Sequence, residues 1–271
     1  MTYCVGIMLD RGLVLMSDTR TNSGVDNIST FRKMYHWQIP GERVISVMTA
    51  GNLATTQAVI SQLEERNKAP AERHNSLLEA PTMFQVATIV GNLLQDVIAE
   101  RAADNGQTAA AGTFSATMIV AGQIKGMEPR LFLIYPEGNF IEASFDTPFF
   151  QIGETKYGRP ILIRGYERDM SFEAAVKLLC VSFDSTVKAN LSVGMPLDLL
   201  VLETDTFTPL HERRIEANDP YYQSISASWG EALRQALEGL PDYTIDSDID
   251  SGANAGANSG RAGKSKGAAA R

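Results

Sequence analysis

Apolar positions along this chain first alternate, then recur every three or four residues, and then repeat the same change. Residues 2–9, from Thr2 through Leu9, alternate like a strand and lead into the turn Asp10-Arg11-Gly12. Leu13 to Met16 return as a second strand, so a hairpin is predicted from the second residue onward. A second strand pair is predicted at 33–39 and 44–49, joined by Pro40-Gly41-Glu42. The period then lengthens. Helices are predicted at 52–66, with Leu53, Val59, Ile60 and Leu63 apolar, and at 82–101, with Met83, Val86, Val90, Leu93, Leu94 and Val97 on one stripe. A polar stretch, 102–111, closes this half.

The second half repeats the rhythm. Residues 113–122 read as a strand, 131–135 and 140–143 as a hairpin around Pro136-Glu137-Gly138-Asn139, and 149–152 as a short apolar strand. One or two helices follow. One is placed at 171–189, with Phe172, Val176, Leu179, Phe183 and Val187 on one face and Ser171 as N-cap. A strand at 197–203 and a helix at 219–240 complete the order. Strands come in runs and helices come in runs, which favours antiparallel sheets covered by helices over alternating βαβ units. Strands apolar on both faces call for two sheets packed face to face. The expected fold is α+β, a single four-layer αββα sandwich.

Composition divides the chain in two. Ser251 to Arg271 holds only Gly, Ala, Ser and Asn besides four basic residues, Arg261, Lys264, Lys266 and Arg271. Such a segment cannot bury enough apolar surface to offset its ordering entropy. The expected organisation is a folded body, 1–248, and a disordered basic tail, 249–271. The whole chain of 271 residues carries a net charge of −8, but its first 250 residues carry 20 basic against 32 acidic groups, a net of −12. So acidic a body argues against nucleic-acid binding. No apolar run nears the roughly 18 residues of a membrane span, and no basic region precedes the first apolar stretch. Two cysteines, Cys4 and Cys180, make no disulfide framework, so a cytoplasmic location is expected.

Most familiar chemistry is absent. His36, His74 and His211 lack metal-ligand spacing, and no metal or cofactor is expected. Gly263-Lys264-Ser265 resembles the end of a phosphate-binding loop, but the glycine that motif needs five residues earlier is Asn258. The unusual feature is Thr2, set at the start of a strand behind Met1 alone. A small second residue permits removal of the initiator methionine. Thr2 would then bear a hydroxyl and a free α-amine, and the amine could act as base for the hydroxyl. An α-amine titrates near 7.7–8.0, so a useful fraction is neutral close to pH 7.

The neighbouring residues extend this reading. Thr2-Tyr3-Cys4-Val5-Gly6-Ile7, the run Asp10 to Arg20, Phe31-Arg32-Lys33-Met34 and Thr49-Ala50-Gly51-Asn52 together resemble the start of proteasome β-subunits. With Ser192 to Leu200, they resemble most closely the ancestral bacterial proteasome-like family known as Anbu. The resemblance covers roughly residues 2–240. It implies an N-terminal-nucleophile hydrolase with two antiparallel sheets between helix layers. It also implies a self-assembled homo-oligomer, ring or open spiral, acting on a peptide or amide substrate. By the same resemblance, Thr2 is the nucleophile, Lys33 lowers the pKa at that site, Asp18 holds Lys33, and the Gly51 N–H forms the oxyanion hole. Thr21, Tyr35, Thr49 and Leu53 would line the substrate pocket. Where those subunits carry Gly-Ser-Gly, this chain reads Ile152-Gly153-Glu154, and a supporting acid–serine pair is assigned to Asp184 and Ser192. Two other functions remain open: a catalytically idle assembly protein of the same fold, and a small-molecule amidase.

Overall fold

The computed structural model describes residues 2–22, 28–68, 75–104 and 111–244. The chain divides into two units, Met1–Gly230 and Glu231–Arg271. His74, Met1 and the basic tail expected at 249–271, with its Gly263-Lys264-Ser265 segment, lie outside the described residues.

The first unit is the expected sandwich. Strands β1 (Tyr3–Leu9) and β2 (Gly12–Asp18) form the predicted hairpin, with Cys4 opposite Ser17 and Leu9 opposite Gly12. A short ribbon follows, β3 (Arg20–Asn22) against β4 (Ile28–Thr30). Strands β5 (Met34–Ile39) and β6 (Arg43–Gly51) lead into helices α1 (Leu53–Lys68) and α2 (Met83–Asp104). A 3-10 turn at Ala111–Phe114 precedes β7 (Ala116–Ile124), so this strand begins later than its apolar pattern predicts. Then come β8 (Arg130–Ile134), β9 (Phe140–Glu142), β10 (Phe149–Gly153), α3 (Thr155–Gly165), α4 (Phe172–Ala189), β11 (Leu197–Glu203), β12 (His211–Ile215) and α5 (Pro220–Glu238). The Ser171 hydroxyl accepts the Ala174 N–H at 3.1 Å and caps α4 as expected.

One sheet has the order β10-β1-β2-β11-β12 and the other β5-β6-β7-β8-β9. Period-two alternation sorts the side chains of each strand between two cores. From β1, Tyr3, Val5, Ile7 and Leu9 pack with Leu162, Leu179 and Phe183 of α3 and α4. Cys4, on the opposite face, joins Leu15, Met48, Ile119, Leu131 and Leu200 between the sheets. The other sheet buries Ile45, Val47, Met118, Val120 and Phe132 against Val59, Leu63, Val86 and Val90 of α1 and α2. Helix, sheet, sheet and helix thus enclose three apolar layers.

The apolar pattern leaves four elements unplaced. Helix α3 contains Gly158 and Pro160, both helix breakers by local propensity, and forms with Leu162 fully buried in the helix-side core. Strand β12 is exposed on every residue but the last, so no alternation marks it; its ladder with β11 and the bidentate Arg214–Asp198 ion pair hold it. The β3–β4 ribbon is only three residues per strand.

In the second unit, Glu231 to Glu238 continues as helix, with an exposed Arg234–Glu231 ion pair and Leu233, Leu237, Leu240 and Tyr243 exposed. No helix among the described residues is long and apolar enough to cross a membrane.

Candidate active site

Thr2 sits immediately before β1 and is 7% exposed. Its carbonyl accepts the Glu154 N–H at 2.7 Å. Gly153, which ends β10, stands opposite Tyr3 in the ladder and has φ of 85°. A Cβ on Gly153 would overlap the Thr2 carbonyl, so both the backbone angle and the close approach require glycine. The chain start is thereby clamped between β10 and β2.

Asp18, the last residue of β2, lies under this clamp with no solvent exposure. Its Oδ1 accepts the Tyr3 N–H at 2.9 Å and the Lys33 ammonium at 2.8 Å. Its Oδ2 accepts the Gly194 N–H at 3.4 Å. Lys33, just ahead of β5 and 4% exposed, also donates to the Arg20 carbonyl at 2.5 Å. Three N–H donors converge on the two carboxyl oxygens and favour the ionised form. Burial pushes the Asp18 pKa up, and it outweighs the opposing pull of the Lys33 charge and the Tyr3 and Gly194 amides. The nearby Arg20 side chain is directed elsewhere: its guanidinium donates to the Leu191 carbonyl at 3.1 Å.

Thr2, Lys33 and Gly51 line one cavity of about 180 Å³, and Thr21, Tyr35, Thr49 and Leu53 share its walls. Seven of the ten sequence-predicted positions therefore surround one space, and Asp18 braces it through Lys33. Gly51 ends β6 one residue before the Asn52 cap of α1, whose Oδ1 accepts the Thr55 N–H at 3.0 Å. Its φ of 117° is again a glycine conformation, and a Cβ would press on the Ser115–Ala116 backbone. The Tyr35 hydroxyl donates to the Arg32 carbonyl at 2.9 Å, and burial raises its pKa.

Asp184 and Ser192 do not line the cavity. The Asp184 carboxylate, on α4, pairs with Lys188 at 2.9 Å and contributes to raising the pKa of Tyr222, after burial itself. Ser192 lies on the loop before β11 that reaches Asp18 through Gly194; its own N–H donates to Asn190 Oδ1 at 2.9 Å.

Sequence reasoning also missed contributors. Arg32, Ala50, Thr56 and Gln57 line the same cavity. The Tyr3 hydroxyl, next in sequence to Thr2, hydrogen-bonds Ser182 Oγ at 2.7 Å and accepts from Gln151 Nε2 at 2.6 Å. Only the position of Tyr3 beside Thr2 could have drawn attention to it; Ser182 and Gln151 carry no local signal. Cys4 and Cys180 are buried free thiols, both with pKa values raised by desolvation, as small core residues should be. His36 lies on β5, 3.8 Å from Glu212, away from the cavity. Among the described residues, no group of three or more His, Cys, Asp or Glu is placed to hold a metal.

A nucleophile candidate, a buried cation and a helix-start N–H around one small space suit attack on a carbonyl, with the developing oxyanion met by a backbone donor. Comparison with known proteins gives the family. The model of the proteasome subunit family matches residues 2–201. The solved structure of Anbu, the ancestral beta-subunit, from Yersinia bercovieri is 44% identical, with a TM-score of 0.83, covering 90% of this chain and all of that one. The helical assembly of the Anbu complex from Pseudomonas aeruginosa is 43% identical, with a TM-score of 0.82, covering 89% and 98%. The proteasome subunit beta of Methanopyrus kandleri is 24% identical over 225 residues, 79% of this chain and 93% of its own length.

Proposed function

This chain belongs to the Anbu branch of the proteasome subunit family, of the N-terminal-nucleophile hydrolase kind, and from that premise we propose that it is a threonine-type peptidase or amidase. The observation that carries the proposal is the buried Asp18–Lys33 pair, 2.8 Å apart, whose Lys33 lines one cavity with Thr2.

Once Met1 is removed, the Thr2 amine accepts the Thr2 hydroxyl proton. The hydroxyl oxygen attacks the substrate carbonyl. The Lys33 ammonium favours the alkoxide and the neutral amine, while Asp18 keeps that ammonium in place. The oxyanion receives the Gly51 N–H. The proton returns to the departing amine, and water releases the acyl group from Thr2 by the same route reversed. Thr21, Tyr35, Thr49 and Leu53 contact the acyl part. No step is assigned to Asp184 or Ser192. Two buried free thiols suit a reducing cytoplasm. The helical assembly of the Pseudomonas aeruginosa relative supports a homo-oligomer as the working form.

Intact-mass measurement of the purified protein, followed by an electrophile that needs a hydroxyl and a free amine on one residue, tests the reading. The expected result is loss of Met1 and a single adduct on Thr2 that Lys33→Ala abolishes. Absence of an adduct on protein lacking Met1 overturns it. Met1 retained in an intact oligomer favours the idle assembly protein, because the amine is then held in a peptide bond.

A further inference from the structure

Three cavities run in series beside Thr2. The one holding Thr2 and Lys33 shares Ala50 and Gly51 with a second of about 400 Å³, which also reaches Gly153 and Thr155. That second cavity shares Leu133 and Gln151 with a third of about 550 Å³. The third lies among β8, β9, β10 and α3, and its walls include Phe145, Phe149, Ile163 and Tyr166. Shared lining residues thus step from Gly51 to an aromatic surface.

We infer that the second and third cavities receive the leaving-group side of a peptide substrate, and that they select an extended segment with apolar or aromatic side chains. The inference rests on Thr2 as nucleophile and Gly51 as oxyanion donor, and it chooses a peptide over a small amide. With the acyl part held against Thr21, Tyr35, Thr49 and Leu53 on one side of Gly51, the amine must depart on the other side, where the second cavity opens. Size agrees. Ligand pockets typically measure roughly 300–1,000 Å³; the two outer cavities fall in that range and the Thr2 cavity falls below it. A small amide would leave both outer cavities unused.

The chemistry of the walls agrees too. Phe145 is 78% exposed and Ile163 61% exposed, and both face the third cavity, where a bound apolar chain would cover them.

The test uses full-length protein from which Met1 is absent, and it reads binding separately from turnover. The binding probe is the tetrapeptide amide Phe-Ala-Leu-Phe, titrated by calorimetry into the Thr2→Ala variant. Binding is expected, and Ile163→Asp, an exposed change on α3, weakens it at least tenfold. Turnover is compared on two peptides with one acyl part, extended past the cleaved bond by Gly-Gly or by Phe-Ala-Leu-Phe. The second is expected to show at least tenfold higher kcat/KM, and Ile163→Asp to remove that advantage. No binding, or equal turnover of the two peptides, overturns the inference. Binding without turnover, and without an adduct on Thr2, leaves the groove standing and removes the hydrolase reading instead. If Ile163→Asp changes the oligomer size while the tetrapeptide still binds, the third cavity belongs to subunit packing and the inference is overturned.

Discussion

Asp18 and Lys33 meet at 2.8 Å with side-chain exposures of 0% and 5%. The same carboxylate oxygen holds the Tyr3 amide, so one ion pair both charges the cavity and fixes the residue that follows Thr2. Removing one partner of a buried pair typically costs about 3–5 kcal/mol, because the other charge is left unpaired. Lys33→Ala is therefore expected to lower stability by about that amount in urea unfolding. Lys33→Met combined with Asp18→Asn should recover at least half of the loss, since no unpaired charge remains.

The raised Asp18 pKa gives a definite sign of pH dependence. An unfolded Asp titrates near 3.9. Between that pH and the raised folded pKa, the unfolded chain has released a proton that the folded protein still holds at Asp18. Stability from this group is therefore full below about pH 4 and is lost as pH rises through the folded pKa. The stability gap between wild type and Asp18→Asn should narrow from pH 3.5 to pH 7 in paired urea melts. A gap that widens would mean that Lys33 and the two amides outweigh burial.

Tyr3 predicts a change at the alkaline end. Burial pushes its phenol up from 10.0 to about 12, against the opposing hydrogen bonds from Ser182 and Gln151. Between those values the unfolded chain ionises and the folded protein does not, so stability falls as pH rises. The rise corresponds to roughly 2–3 kcal/mol. Denaturation midpoints measured from pH 9 to 12 should fall less steeply for Tyr3→Phe than for wild type. At pH 7 the variant should already lose about 1–3 kcal/mol, from polar partners left unsatisfied.

Gly153→Ala tests the clamp on the chain start. The new Cβ meets the Thr2 carbonyl, and φ of 85° costs a non-glycine residue roughly 1–2 kcal/mol before any clash. The variant should fold with a lower melting temperature and form the Thr2 adduct at least tenfold more slowly. Gly41→Ala, at a positive-φ position with open space around it, is the control: it shares the backbone strain but should keep the adduct rate.

Much of the fold is legible because it is written in local periods. Alternation in residues 2–16 marks β1 and β2, and the 3.6-residue stripe from Met83 to Val97 marks α2. Helix α3 is not legible, since Gly158 and Pro160 argue against it and its stability comes from Leu162 packing under the sheet. Nor is β12, whose residues His211 to Arg214 face water and take their structure from pairing with β11.

The site divides in the same way. Thr2, Asp18, Lys33 and Gly51 lie within the first 51 residues and can be picked out by residue type and motif, because a hairpin and the next strand pair bring near neighbours in sequence together. Ser182, Gln151 and Gly194 carry no such mark, yet they hold Tyr3 and Asp18 from 148 to 179 residues away. By itself, the sequence determined most of the elements and the nucleophile candidate, since period and residue type are local properties. Only the tertiary structure decided the clamp at Gly153, the burial that shifts Asp18 and Tyr3, and the cavities leading from Gly51, since each depends on which distant strands share a sheet and how closely they pack.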